Sequence, residues 1–373
     1  MSAQPGTANR APQPDPQPGS PHHHQAPALS SQWRGVLARS SVVRAASSPW
    51  AGLAACLMYH RICPDQTEHD QVSKGFAPNR DLSVALSAFD EQMAYVAQRF
   101  NCLSLPEAVE QLARGKLPPR SLIVTFDDGY LDNLTLALPI LRKYAVPATV
   151  YIATGLINQD SLPWWYELED LIASTQGFSF QWRGEALQVP TTDTESKRQA
   201  FDKLNPMLKL MDPVEQARFM GLLREGSITH TQQQAQFMNR RQLMELAADP
   251  LITIGAHTHH HLALSTLNDI RLRHEMIRSR ELLEAWLSRS VEHLAYPYGG
   301  HRHASTREFQ AADELGFSSA VTTRLGHFQA FHRKHRLALP RIGIGYQDCM
   351  ARFEWKLSGL YSMVRRPLSR LTC

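Results

Sequence analysis

The chain has 373 residues, 43% of them hydrophobic, which is ample for a sizeable core in one large domain or two smaller ones. A formal charge of +4 suits an ordinary soluble protein and does not point to nucleic acid. The five cysteines, Cys56, Cys63, Cys102, Cys349 and Cys373, are scattered and form no CxxC pair, which argues against a zinc ribbon or a disulfide framework and for free thiols in a reducing compartment.

The first 48 residues differ from everything after them. Seven of the first 30 are proline and the segment holds a single acid, Asp15, so it reads as a disordered extension that cannot bury enough apolar surface to order itself. His22, His23 and His24 lie within it and read as part of a solvated tail. Residues 49–373 read as one folded domain. The stretch "WAGLAACLMY", Trp50 to Tyr59, is shorter than the roughly 18 apolar residues of a membrane span and starts too far from Met1 for a normal signal peptide. The expected location is therefore cytoplasmic.

From residue 50 the chain alternates. Strand-like runs occur at "AACLMYH" (54–60), "SLIVTF" (121–126), "ATVYIAT" (148–154), "LITIGAH" (251–257), "HLAYPY" (293–298), "SSAVTT" (318–323) and "LALPRI" (337–342). Helical patterns lie between them. "SLPE", Ser104 to Glu107, is a capping box with Gly115 as its stop, and "STRE", Ser305 to Glu308, is another closed near Gly316. Ser265 to Leu287 carries Leu267, Ile270, Met276, Ile277 and Leu283 at helical spacing, and Pro139 is expected to kink the helix around it. The rhythm breaks between the third and fourth strands, where residues of about 160–247 read as a mostly helical insertion. It opens on Trp164, Trp165 and Tyr166, which either anchor it or form a substrate wall. The cationic "HRKHR", His332 to Arg336, reads as a solvated loop. Strands alternating with helices predict an α/β protein, a deformed (β/α) barrel of about seven parallel strands.

Three of the strands end in polar clusters: Asp127-Asp128, then "GAHTHHH" (Gly255 to His261), then "AYPYGG" (Ala295 to Gly300). In a β/α barrel the strand C-termini open on one face, so these clusters can form one site. A carboxylate with two histidines and an open fourth position is a common catalytic zinc set. Adjacent residues leaving a strand point in different directions, so one Asp can face a metal while the other takes a proton from water. Composition alone leaves open which two of the four histidines bind.

The same residues carry a resemblance. "TFDDGY", "HTHHH" and "YPYG" resemble, in order, the first three motifs of the polysaccharide deacetylase (NodB-homology) family, over about Leu57 to Ile342. The resemblance implies a divalent metal, most often zinc, and hydrolysis of N-acetyl groups on a carbohydrate, releasing acetate. Carried over by motif, Asp128, His257 and His261 would hold the metal, Asp127 would be the general base, and the backbone N–H of Tyr298 would face the oxyanion, with Gly299 allowing the turn. His259 and His260 fall on variable positions. The sequence departs from the pattern where Ala295 stands in place of a frequent arginine. It also lacks an evident C-terminal catalytic histidine; "LPRIGIG" lies there and offers Arg341. His60, at the end of the first strand, could supply the acid if that strand neighbours the last, as in members whose barrel order is permuted. A metal amidohydrolase of a small non-sugar amide and a non-catalytic glycan-binding barrel are the two alternative readings.

Overall fold

In a computed structural model of the protein, residues 52–66, 75–225, 236–359 and 361 are described. The Pro-rich extension with His22–His24, and Cys373, lie outside them. Each of the seven strand-like runs becomes a strand: β1 Ala54–Tyr59, β2 Ser121–Phe126, β3 Ala148–Ile152, β4 Ile252–Ala256, β5 His293–Ala295, β6 Ser319–Leu325 and β7 Leu339–Gly343. They are parallel and pair in the order β1-β7-β6-β5-β4-β3-β2, and β2 returns to β1 over the full register Ala54↔Ser121 to Tyr59↔Phe126. The sheet is thus a closed barrel, and the first strand does neighbour the last, at Leu57↔Ile342 and Met58↔Gly343. It is deformed: β5 has three residues, and the register between β6 and β7 shifts between Val321 and Leu325.

Side chains alternate along each strand. On β1, Leu57 and Tyr59 pack into the large cluster shared with the surrounding helices, whereas Ala54 and Cys56 join Ile123, Tyr151, Ala295, Val321 and Leu339 in a smaller cluster drawn from six of the strands. That second cluster is the barrel interior. Helix α1, Leu86–Arg99, contributes Phe89, Met93 and Val96 to the outer layer. Helix α2, Leu105–Arg114, contributes Leu105, Ala108 and Leu112 to the inner cluster. Ser104 caps α2 through the Glu107 N–H and Gly115 ends it at φ +67. Pro139 lies inside one continuous helical run over 131–144: a π segment, Asn133–Ala137, passes directly into α3, Leu138–Tyr144, so the regular backbone ladder is already interrupted where the proline's missing N–H falls.

The insertion between β3 and β4 is less helical than its sequence suggests. Helices α4 (Trp164–Ser174), α5 (Thr194–Lys209), α6 (Pro213–Arg224) and α7 (Arg240–Ala247) are joined by an antiparallel hairpin, Gly177–Trp182 with Glu185–Pro190. Its turn, Arg183-Gly184, has both residues at positive φ, as a two-residue hairpin turn requires. The hairpin aromatics Phe178 and Trp182 join Trp164, Trp165, Tyr166, Leu204 and Phe219 in a separate apolar cluster. The long helix α8, Asp269–Leu287, buries Leu272, Met276 and Leu283, while Ile270 and Ile277 face outward, so the core stripe is rotated from the one expected. Helix α9, Thr306–Glu314, forms its capping box from Ser305 and Glu308 as expected. Cys56, Cys63, Cys102 and Cys349 are free thiols. Among the described residues no helix is long and apolar enough to cross a membrane.

One buried titratable group links β5 to β6. His293 Nδ1 lies 2.9 Å from Ser319 Oγ, and burial pushes the ring's pKa down to about 4 against the opposing charge of Glu292. The unfolded chain takes up that proton near pH 6.5, so protons favour unfolding and stability is lost as pH falls from about 6.5 to about 4. His293→Gln should flatten that loss by up to about 3 kcal/mol, read as urea midpoints at the two ends of the window. An unchanged slope would assign the acid sensitivity to other groups.

Candidate metal centre and active site

The alternation that fills the barrel also builds its mouth. Ile123, Thr125 and Asp127 continue one face of β2, as Leu339 and Arg341 do on β7. Arg341 is fully buried and grips Asp127 with both prongs, Nη1–Oδ1 and Nη2–Oδ2 each at 2.7 Å. Its Nε donates to the Thr322 carbonyl at 3.0 Å, and Nη1 also reaches Thr125 Oγ1 at 3.1 Å. Ala295 leaves β5 without an arginine, and the guanidinium of the site comes from β7 instead. Burial raises the pKa of Asp127, but Arg341, His257 and His60 outweigh it and hold the carboxyl below its usual range. Asp127 is therefore an anion at neutral pH. Each of its oxygens keeps lone-pair capacity beyond the arginine bond.

At Asp128 the chain leaves the strand with φ +76, which turns this carboxylate away from its neighbour's direction. Asp128 Oδ1 lies 3.4 Å from His257 Nε2 and 3.2 Å from His261 Nε2, and all three residues are buried. One ligand atom from each lies within 4.8 Å of the others. The donor set fits a divalent cation for a specific reason. His257 Nδ1 sits 2.8 Å from the Ala295 carbonyl, which can only accept, so Nδ1 carries the hydrogen. In the neutral ring Nε2 then turns a lone pair toward the Asp128 carboxylate, and two acceptors face one another unless a cation or a proton lies between them. Burial opposes a charge on His257, but Asp127 and Asp128 outweigh it and raise its pKa, the same demand for positive charge.

Four non-glycine residues with left-handed backbone lie at this mouth: Asp128, Thr258 (φ +62), His261 (φ +56) and Tyr298 (φ +59). Such conformations cost about 1–3 kcal/mol each and concentrate at functional sites. The Tyr298 turn continues through Gly299 at φ +34, where a Cβ would press on the Thr323 backbone nitrogen. The Tyr298 N–H has no hydrogen-bond partner among the described residues, and its ring lies 4.9 Å from that of His261. His60, half-buried at the end of β1, feels the charges of Asp128, Asp127, Arg341 and His257. Burial leads in lowering its pKa, against the pull of the two carboxylates. Its carbonyl accepts from Asn133 Nδ2 at 2.8 Å, and Asp132 holds the next two residues through Arg61 Nε and the Ile62 N–H, each at 3.0 Å.

Of the aromatic trio, Trp164 and Tyr166 lie in the insertion core. Trp165 is also buried, and its ring lies 5.4 Å from that of His261, so anchor and site wall are one residue. Lys209 also borders the site, its ammonium 5.2 Å from the Tyr298 ring centroid, and Tyr130, whose ionisation burial and the Asp128 charge oppose, stacks on Phe237 at 4.6 Å. His259 and His260 turn away from Asp128, toward Thr154 and Glu275. Nothing in the sequence distinguishes Glu275 from the other acids of α8, Asp269, Glu281 and Glu284.

A family profile described as Polysaccharide deacetylase matches residues 114–203 and 217–320. The chain belongs to the polysaccharide deacetylase family. A poly-beta-1,6-N-acetyl-D-glucosamine N-deacetylase of Staphylococcus epidermidis is 32% identical over 108 residues, 28% of this chain and 37% of that protein. One of the same name from Staphylococcus aureus is 34% identical over 83 residues, 22% of this chain and 29% of that protein. The chain thus matches about a third of the length of these curated relatives. Among solved structures, a Streptococcus pyogenes deacetylase in complex with acetate superposes with a TM-score of 0.54 at 21% identity, covering 82% of this chain and 97% of that one. A Bacillus cereus polysaccharide deacetylase gives 0.50 at 17% identity, with 82% and 68% covered. These likenesses agree with the deformed barrel.

The buried ion pair makes a stability prediction. Arg341→Met strands the Asp127 charge and should cost about 3–5 kcal/mol in urea unfolding. Asp127→Asn/Arg341→Met should recover part of that loss, because no unpaired charge remains. Equal losses in the single and double variants would contradict the pairing.

Proposed function

We propose that the protein is a metal-dependent hydrolase that removes N-acetyl groups from a carbohydrate, with a β-linked N-acetylglucosamine polymer, as in the names of the staphylococcal relatives, as the first substrate to test. The observation that carries this reading is the convergence of Asp128, His257 and His261 beside a second, arginine-held carboxylate, Asp127. Asp128, His257 and His261 would hold a divalent ion, zinc by donor type. Bound there, it would polarise the acetamide carbonyl and make a water easier to deprotonate.

The chain's own residues do the rest. Asp127, ionised and fixed by Arg341, accepts the proton of the attacking water. The Tyr298 N–H donates to the oxygen of the tetrahedral centre as its negative charge develops. His60 delivers a proton to the nitrogen, without which the C–N bond cannot break to an amine. A depressed pKa makes protonated His60 a strong donor while lowering its population at neutral pH. Trp165 and Tyr298 offer aromatic faces at the mouth for a sugar ring.

Asp128→Ala should lose both bound divalent ion and acetate release. Asp127→Asn should keep the ion and lose on the order of 10²–10⁴-fold in turnover. Elemental analysis of protein freed of the histidine-bearing tail, paired with an acetate-release assay with and without chelator, reads both. A chelator-treated, ion-free protein with full activity would sink the reading, as would reversed ion contents in the two variants. His60→Ala should keep the ion, lose turnover and alter the basic limb of the pH–rate profile, which reports loss of the acid's proton. A near-normal rate with an unchanged basic limb would move the acid role to another group.

A further inference from the structure

We propose that Glu275, on α8, is a positioning residue that clamps the Gly255–His261 turn so that His257 and His261 face Asp128; this rests on the metal reading only for what the turn holds. Glu275 is buried, 4% exposed, and lies on the stripe of Leu272, Met276, Ser279 and Leu283. A buried carboxylate loses several kcal/mol of hydration unless its oxygens are well bonded. A leucine or methionine at this position would avoid that cost.

The bonds that compensate Glu275 go to the variable centre of the histidine motif. Its Oε2 accepts from the N–H of His260 at 2.7 Å and shares the N–H of His259, at 3.1 Å, with the Glu275 backbone carbonyl at 3.0 Å, and its Oε1 lies 2.6 Å from His260 Nδ1. The opposite side of the turn is held by the segment after β3. The Gly155 N–H donates to the His259 carbonyl at 2.7 Å, and Thr154 Oγ1 lies 2.9 Å from His259 Nδ1. The turn needs holding. Thr258, β-branched, sits at φ +62, and His261 sits at φ +56. A β-branched residue in that region is a genuine outlier and persists only where its surroundings enforce it. Released, the turn would relax toward ordinary backbone and swing His261 out of line with Asp128. His259 and His260 are thus the turn's attachment points, and Glu275 is the fixed post.

The test uses the full chain with Glu275→Gln, which keeps the shape but replaces one acceptor oxygen with a donor. Zinc or cobalt affinity, measured by competition with a chelating dye, should fall about 10–100-fold, the usual cost of removing support around metal ligands. In metal-free protein the peptide spanning residues 255–261 should exchange its amide hydrogens faster than in wild type. His260→Ala removes one of the three bonds and should give a smaller loss. The double variant should resemble Glu275→Gln, because both changes act through one contact. A folded Glu275→Gln protein with affinity within about twofold of wild type and unchanged exchange would overturn the clamp. If that variant does not fold, His260→Ala decides on the same two readouts. If wild type itself binds no ion, the metal reading fails, and the exchange comparison alone still decides the clamp.

Discussion

Two charges almost wholly withdrawn from water, the Arg341 guanidinium and the Asp127 carboxylate, fix the geometry on which the site depends. Removing both from water costs several kcal/mol per ion, and only close bidentate bonding with further hydrogen bonds offsets it. The guanidinium has both: two bonds to Asp127, one to the Thr322 carbonyl and one to Thr125, whose hydroxyl donates onward to the Leu57 carbonyl of β1 at 2.7 Å. The network therefore crosses β6, β7, β1 and β2. It braces the barrel closure at the point where Asp128 must leave the strand.

Around that brace the site is assembled from strained ends. Asp128, Thr258, His261 and Tyr298 adopt left-handed backbone where β2, β4 and β5 give way to loops. Each conformation aims a group at one small volume that the strand direction would not reach. The neighbouring packing supplies the restraint. Gly255 lets the β4 backbone pass against the Tyr151 ring, where any Cβ would collide. Trp165 and Tyr298 flank the His261 ring. The insertion thus seals one flank of the site with its own apolar cluster.

Much of this is written locally and was legible for that reason. Short apolar runs mark the seven strands, three of which also carry polar clusters at their exits, and Ser305 with Glu308 marks a helix start. The acid pair and the histidine cluster announce their strand ends because four histidines at a strand exit have few other uses. What failed to show depended on distance in the chain. Arg341 stood as a lone arginine in "LPRIG", and nothing local says that it meets Asp127, 214 residues away. The hairpin is a different case: Phe178, Phe180 and Trp182 alternate with Ser179 and Gln181 ahead of Arg183-Gly184, a local strand-and-turn signal that the helical reading of the insertion passed over. Pro139 signals an irregular helix, and the π segment Asn133–Ala137 directly before it is the form that irregularity takes.

The central claim is that one volume is shared by Asp128, His257 and His261, with Asp127 beside it on Arg341. Anomalous diffraction from crystals grown with zinc tests it most directly. The account predicts a single strong peak in the barrel mouth, about 2.0–2.2 Å from Asp128 and from Nε2 of both His257 and His261, with Asp127 still paired to Arg341. A peak held instead by His259 or His260, or by Asp127 released from Arg341, would contradict it.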